Sequence, residues 1–281
     1  MAIKIMSRHN ALFSTNYIAG RHLGIGATSR VFECYARNSN DKFAAKKAIS
    51  KDIIQFNRSK KEEAYLEKLN NHPNICNLHD IFYEEDDDGQ YVKHIVTECG
   101  ENSLANLAST VHIDEKYLKQ IVIQMLHAIL HCHNNNICHR DIKLENFIYI
   151  NSYNLSHASP MFLNTINIKL IDFGLATNYH KDYNLTGKVG TVSYVAPEIL
   201  NNSDYTPKID SWSLGVSIYK IIIGNPLINH TKIDFFNPTY KNHKWNTYST
   251  ECCDFVQQLL TINAINRLSI HDAINHSWIS A

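Results

Sequence analysis

The sequence predicts an α+β protein in two parts: a small β-rich first part with one main helix, and a larger, mainly helical second part. Three observations predict it. Residues 17–37 and 42–49, "YIAGRHLGIGATSRVFECYAR" and "KFAAKKAI", are rich in β-branched and aromatic residues around glycine turns. From about residue 103 the pattern becomes helical, as in "KYLKQIVIQMLHAILHCH". The chain, 281 residues with 44% hydrophobic and 19% charged, is long and apolar enough to bury a core in each part.

The elements follow in order. The first two β-rich runs flank the turn around Gly24 and Gly26, and "KFAAKKAI" is a third strand. "SKKEEAYLEKLNN" sets Glu62, Leu66 and Leu69 at helical i, i+4, i+7 spacing, and His72-Pro73 ends that helix. "NLHDIFYE" and "YVKHIVTEC" form a hairpin turning at "EDDDGQ". Further on, Leu118, Ile121, Val122, Met125 and Ile129 make one apolar helix face. "DSWSLGVSIYKIII" is apolar on more than one side, as a buried helix is. The expected boundaries are an extension at 1–16, the first part at 17–98, a connector at 99–103 and the second part at 104–281, with an insertion at 151–167. "NSYNLSHASPMFLNTIN" far exceeds the usual 2–5 residues of a hairpin loop.

Composition excludes several classes. Lys+Arg and Asp+Glu balance at 27 each, so no global field draws the chain to nucleic acid or anionic lipid, and neither is an expected partner. The start, "MAIKIMSRHNALFSTNY", has no apolar core of signal-peptide length, and Ala2 breaks the myristoylation pattern. The most apolar stretch, "GVSIYKIIIGNPLI", is short for a bilayer and contains Lys220. Seven cysteines without framework spacing imply free thiols in a reducing compartment, cytoplasmic or nuclear.

The chemistry concentrates at "ICHRDIKLENF", residues 137–147, where His139, Arg140, Asp141, Lys143, Glu145 and Asn146 crowd ahead of an apolar run. A solvated loop would account for that crowding alone. It would not account for Asp172, an acid ending the apolar strand of "KLIDFG". Lys46, in an apolar strand, needs water or a partner, and Glu62 on the following helix supplies one. Three other clusters point to packing or solvent. "EEDDDG" lacks the closing glutamate of a calcium loop, Ile95 standing there. His127 and His131, at i, i+4, have no further ligand set, and Cys252-Cys253 starts a helix.

Taken together, "GIGATSRV", "AAK", "HRDIKLEN", "DFG" and "APE" resemble, in order and spacing, the signature set of eukaryotic protein kinases, from about Tyr17 to Trp278. "HRDIKLEN", "VGTVSYVAPEIL" and "DSWSLGVSIY" look like Ser/Thr kinases of the calmodulin-dependent and related grouping, and Lys143 favours Ser/Thr over Tyr acceptors. The resemblance implies a bilobal fold and transfer of the γ-phosphoryl group of ATP, with Mg²⁺, to protein substrates. It implies Asp141 as the acceptor of the substrate hydroxyl proton and Lys143 as the cation on the moving phosphoryl group. Asn146 and Asp172 would hold the metal; Lys46, oriented by Glu62, would grip the α- and β-phosphates. Glu63 is expected to be a solvated neighbour. Gly24 and Gly26 would admit the phosphates, Thr97 would be the gatekeeper, and the backbone of Glu98 and Gly100 would bond the adenine edge. Val31 and Ala44 would cover the ring, with Ile148 beneath and Ile171 nearby.

The segment 172–198 reads as the activation segment by resemblance, with Thr186 the leading phosphate acceptor opposite Arg140, ahead of Tyr183 and Ser193. Thr191 is expected beside Asp141 and Lys143, Glu198 and Arg267 as a structural ion pair, and Asp210 as a brace on the catalytic loop. Regulation is expected from the activation segment, the insertion, an upstream kinase or a regulatory partner. Three departures stand out: Ser29 replaces the third glycine, Ser103 stands where an acid often binds ribose, and the 151–167 stretch is long. Glu145 could favour basic residues upstream of the acceptor. The competing function is a pseudokinase, a nucleotide-binding scaffold that regulates partners.

Overall fold

The structure, a computed structural model, describes residues 12–26, 29–58, 60–151, 162–224 and 245–280. The chain forms two compact units, Met1–Gly100 and Glu101–Ala281. Of the expected extension and insertion, residues 1–11 and 152–161 lie outside the described residues, as do Ala27-Thr28 and the "NPLI" end of the apolar stretch.

The first unit begins with a short helix, α1 (Phe13–Asn16), then β1 (Tyr17–Ile25), β2 (Ser29–Ala36) and β3 (Lys42–Ser50). Two helices follow, α2 (Ile53–Arg58) and α3 (Lys61–Leu69), then the hairpin β4 (Leu78–Glu85) and β5 (Tyr91–Glu98). The strands make an antiparallel sheet in the order β1-β2-β3-β5-β4. Its core gathers Phe13, Tyr17, Phe32, Cys34, Ala45, Phe82 and Val96. Phe13 stacks on the His94 ring at 4.3 Å and meets Phe32 and Phe82 edge-on at 5.8 Å. The hairpin turn is an Asp-capped loop: Asp86 Oδ1 accepts from the N–H groups of Asp88 and Gln90. Helix α3 buries Tyr65, Leu66 and Leu69, carries Glu62 and Glu63 in its first turn where the helix dipole favours acids, and stops before Pro73.

The second unit opens with β6 (Asn102–Ser103), α4 (Leu104–Thr110) and α5 (Glu115–Asn134). Ser103 and Asp114 cap the two helices, accepting from the N–H of Asn106 and of Tyr117. On α5 the face Leu118, Ile121, Val122, Met125 and Ile129 is buried. Next come β7 (Ile137–Cys138), a single 3₁₀ turn at Leu144–Asn146, β8 (Phe147–Asn151), α6 (Phe162–Thr165), β9 (Ile166–Leu170) and β10 (Thr177–Asn178). The strands pair as β6-β8-β9 and β7-β10. Asn151 pairs with Ile166, so the ends of the expected 151–167 insertion are strand, and Phe162 of α6 packs edge-on against Tyr149 at 5.9 Å.

The remaining helices are α7 (Pro197–Leu200), α8 (Lys208–Ile223), α9 (Thr250–Leu259), α10 (Ile270–Ala273) and α11 (Ser277–Ser280). Helix α8 is buried along nearly its whole length and ends at Gly224. Glu115 fastens α5 to the later helices, accepting from the Ser249 N–H at 2.7 Å and the Trp278 indole at 2.9 Å. Glu198 and Arg267 form the expected pair, two-pronged at 2.7 and 2.9 Å, with the guanidinium over the Trp212 ring. Among the described residues no helix is long and apolar enough to cross a membrane. All seven cysteines are free thiols, with Cys252 buried and Cys253 half-buried on α9.

Candidate active site

In the first unit, strand alternation sends Ala45 into the core and turns Ala44 and Lys46 to the opposite face of β3. Register then gathers their neighbours. Val31 lies opposite Lys46, Gly24 opposite Val31, and Thr97 opposite Ala44. Cross-strand partners share a face. Gly24, Val31, Ala44, Lys46 and Thr97 therefore occupy one face of the sheet. Lys46 Nζ meets Glu62 Oε1 at 2.7 Å, with both side chains mostly buried. The Gly26 N–H donates to the Ser29 carbonyl at 2.8 Å, and a Cβ on Gly26 would stand 2.9 Å from Ser29 Oγ, so a side chain there would have to displace the serine hydroxyl. Glu98 is bound into its own unit: its Oε1 accepts from the Asn77 N–H at 2.6 Å and its carbonyl faces the Cys76 thiol at 3.6 Å. Gly100, the last residue of the unit, is half-buried.

One expectation is overturned here. Glu63 is not solvated: it is buried, pairs with the buried Lys93 at 2.7 Å, and accepts a hydrogen bond from Tyr83. The helix start places Glu62 and Glu63 at adjacent positions about 100° apart around the axis. That angle lets one reach β3 while the other reaches β4 and β5.

In the second unit, the backbone after β7 is folded around Asp210 of α8. The Asp210 carboxylate accepts from the N–H groups of His139 and Arg140, each at 2.9 Å, and from His133 Nε2 at 2.9 Å. Burial works against its ionisation, but these donors prevail and hold it below the ordinary carboxylate range. Burial and the adjacent Asp210 charge push the Cys138 thiol up, so that cysteine stays protonated. His139 Nδ1 accepts from the Asp141 N–H, which makes Nε2 the protonated nitrogen facing the Ile171 carbonyl at 3.2 Å. Arg140 sits at φ 66°, turning the chain sharply into Asp141.

Asp141 is held by three neighbours. Its Oδ2 accepts from Lys143 Nζ at 2.7 Å and Asn146 Nδ2 at 3.1 Å; its Oδ1 accepts from the Thr191 N–H at 3.0 Å and hydroxyl at 2.7 Å. Lys143 also donates to Thr191 Oγ1 at 2.8 Å. Thr191 follows Gly190, whose φ is 97° and where a Cβ would lie 2.8 Å from the Arg140 carbonyl. Glycine at that place is what allows the segment after Asp172 to approach the loop.

Asn146 donates its amide nitrogen to the Asp141 carbonyl at 2.8 Å, and its backbone carbonyl accepts from the Ile171 N–H at 2.9 Å. Asp172, next in the chain, is exposed at φ 63° and accepts from the Gly174 N–H, while Phe173 is buried edge-on against His139. With the amide nitrogen of Asn146 turned to Asp141, its oxygen and the Asp172 carboxylate are hard oxygen donors of the kind Mg²⁺ takes. Ile148 and Ile171 are half-buried nearby in the chain. Among the described residues no group of three or more His, Cys, Asp and Glu is arranged to hold a metal, His127 is exposed and His131 half-buried.

The segment 172–198 meets Arg140 and Tyr205 through its backbone carbonyls. Arg140 donates to the Leu175 carbonyl at 2.7 Å and to Tyr205 Oη at 3.3 Å, and the Tyr205 hydroxyl donates to the Thr186 carbonyl at 2.9 Å. Thr186 and Tyr183 are exposed and Ser193 half-buried. Lys93, His133, Tyr194, Tyr205 and Lys220 were not singled out from sequence as partners of this machinery. Lys220 alone carried a signal, a cation in an otherwise apolar helix.

Residues 17–279 match the family model described as protein kinase domain, and the chain belongs to that family. Its β-sheet first unit and helical second unit are the α+β, two-lobed architecture of such domains. Over 279 residues, 95% of this chain, it is 30% identical to calcium/calmodulin-dependent protein kinase type II alpha chain of Drosophila melanogaster. It is 31% identical, over the same share, to calcium/calmodulin-dependent protein kinase type II subunit delta of Oryctolagus cuniculus. The resemblance to the calmodulin-dependent grouping is borne out. The chain spans about half the length of these relatives, 50% of each.

Proposed function

We propose that the chain is a serine/threonine protein kinase, transferring the γ-phosphoryl group of Mg-ATP to hydroxyls of protein substrates. The observation that carries the proposal is the set of bonds orienting Asp141, from Lys143, Asn146 and Thr191. A carboxylate held in this way is already aimed at an incoming alcohol, whose proton it takes once the hydroxyl has displaced one of its donors. Lys143, which bridges Asp141 and Thr191, moves its ammonium to the phosphoryl oxygens when the substrate hydroxyl takes its place. The hydroxyl oxygen attacks the γ-phosphorus, the bond to the β,γ-bridging oxygen breaks, ADP leaves with the electron pair, and the proton passes to Asp141. Lys46, oriented by Glu62, binds the α- and β-phosphates, and Gly24, Gly26, Val31, Ala44, Thr97, Glu98, Gly100 and Ile148 receive the rest of the nucleotide. Asn146 and Asp172 would hold the metal, which when bound would neutralise charge on the phosphates.

The test is incubation with Mg-ATP and a mixed Ser, Thr and Tyr peptide library, followed by phosphoamino-acid analysis. Phosphoserine and phosphothreonine are expected, and Asp141→Asn lowers the rate by about 10²–10⁴-fold, the range for losing a positioned base. Folded protein that binds ATP yet transfers nothing would establish the scaffold reading instead. Phosphotyrosine alone would overturn the acceptor class.

A further inference from the structure

Glu145 lies four residues after Asp141 on the turn Leu144–Asn146 and is half exposed. A carboxylate so close to the proton acceptor is a natural reader of a cationic substrate side chain. Here it already has a cation. Lys220 of α8 reaches Glu145 Oε1 at 3.3 Å, and the Tyr194 hydroxyl donates to Oε2 at 3.0 Å. Lys220 also donates to Tyr194 Oη at 2.8 Å and lies over the Tyr194 ring, 5.0 Å from its centre. Burial and the Glu145 charge keep the phenol protonated, as a donor to the carboxylate must be.

The three side chains belong to three elements, yet each is tied to the catalytic loop. The Tyr194 N–H donates to the Thr191 carbonyl at 2.8 Å, and Thr191 holds Asp141. The Tyr194 carbonyl accepts from Ser213 Oγ of α8 at 2.9 Å, two turns before Lys220. The cluster is thus a fixed, charge-compensated patch beside the acceptor position. An arginine or lysine arriving there meets an ammonium, and gains Glu145 only by breaking its bond to Lys220.

We propose that Glu145, Tyr194 and Lys220 form a substrate subsite from which Lys220 excludes basic side chains, so that the preferred peptides carry a neutral or acidic residue at that position. This rests on the kinase reading above and reverses the expectation that Glu145 selects basic residues. Lys220 is a specificity-determining residue that acts through Glu145.

The test is a positional-scanning peptide library phosphorylated by the wild type, Lys220→Met, Glu145→Gln and the double variant. Methionine keeps the length and apolar stem of lysine, and Lys220→Gln is the second variant should it fold poorly. The wild type is expected to show no selection for Arg or Lys at the position this cluster reads. Lys220→Met gains about tenfold for arginine at one position, and the added Glu145→Gln removes the gain. A wild type that selects arginine and loses that selection in Glu145→Gln overturns the proposal, as does a folded, active Lys220→Met with an unchanged profile. Absence of transfer by the wild type to every peptide strikes the kinase reading instead, so the two failures are distinct.

Discussion

His94 shows how one position in the first unit sets a pH dependence. Its ring is buried against Phe13, and among the described residues its Nδ1 has no hydrogen-bond partner. Burial, aided by the cross-strand Lys47, lowers its pKa from 6.5 to about 4. The folded state therefore holds the neutral ring, whereas the unfolded chain binds a proton below pH 6.5. This group's contribution is complete above pH 6.5 and is lost as pH falls toward 4, on the order of 3 kcal/mol in all. Thermal unfolding across pH 7 to 4 should show the wild type losing stability faster than His94→Phe, which keeps an aromatic stack. Parallel curves would refute the assignment. Gly190 gives a second test: Gly190→Ala forces a side chain into φ 97° and against the Arg140 carbonyl, and should lower kcat by at least about tenfold while leaving ATP affinity unchanged. An unaltered kcat would show that Thr191 reaches Asp141 by another route. At this scale the sequence was informative where chemistry follows chain spacing, as for Lys46 with Glu62 or Asp141 with Lys143 and Asn146. It was silent on His94, because an alternating strand on a two-sided sheet does not reveal which polar residue is dry.

At the scale of elements, α3 is the instructive case. Its apolar face was readable from Leu66 and Leu69, and its end from Pro73. Its attachment was not, because Lys93 is reached only through the pairing of β3 with β5 and β5 with β4. Glu62 binds β3, and Glu63 binds β5 through Lys93 and β4 through Tyr83, so the helix is held to three strands by two adjacent acids. Breaking a buried pair leaves an uncompensated charge, at a cost of about 3–5 kcal/mol. Glu63→Gln should therefore lose stability of that order in denaturant unfolding, and Glu63→Leu with Lys93→Met should recover most of it. A single-variant loss below about 1 kcal/mol would show that the pair contributes little. Helix α8 teaches the same lesson in reverse. Its even apolarity identified a buried helix and the family resemblance supplied Asp210 as a brace, but the partners of Lys220 were out of reach, because Glu145 and Tyr194 are delivered by other elements.

On the scale of the whole molecule, the two-part α+β organisation was legible because each part has its own periodicity, two in the strands and nearly four in the helices. Motif order then named the family, which the match over residues 17–279 shows. Less legible was the loop between β8 and β9, where length alone suggested 151–167 and strand pairing returns Asn151 and Ile166 to the sheet. Asp172, with Asn146, is proposed to make phosphoryl transfer depend on metal while Asp141 directs the acceptor. The most direct measurement is the single-turnover rate of γ-phosphoryl transfer to a Ser/Thr peptide across Mg²⁺ concentration, for the wild type and Asp172→Asn. A wild-type rate that rises and saturates with Mg²⁺, and a variant slower by about 10³-fold at every concentration, is the predicted result. Equal rates in the two proteins, or wild-type transfer indifferent to metal, would contradict it.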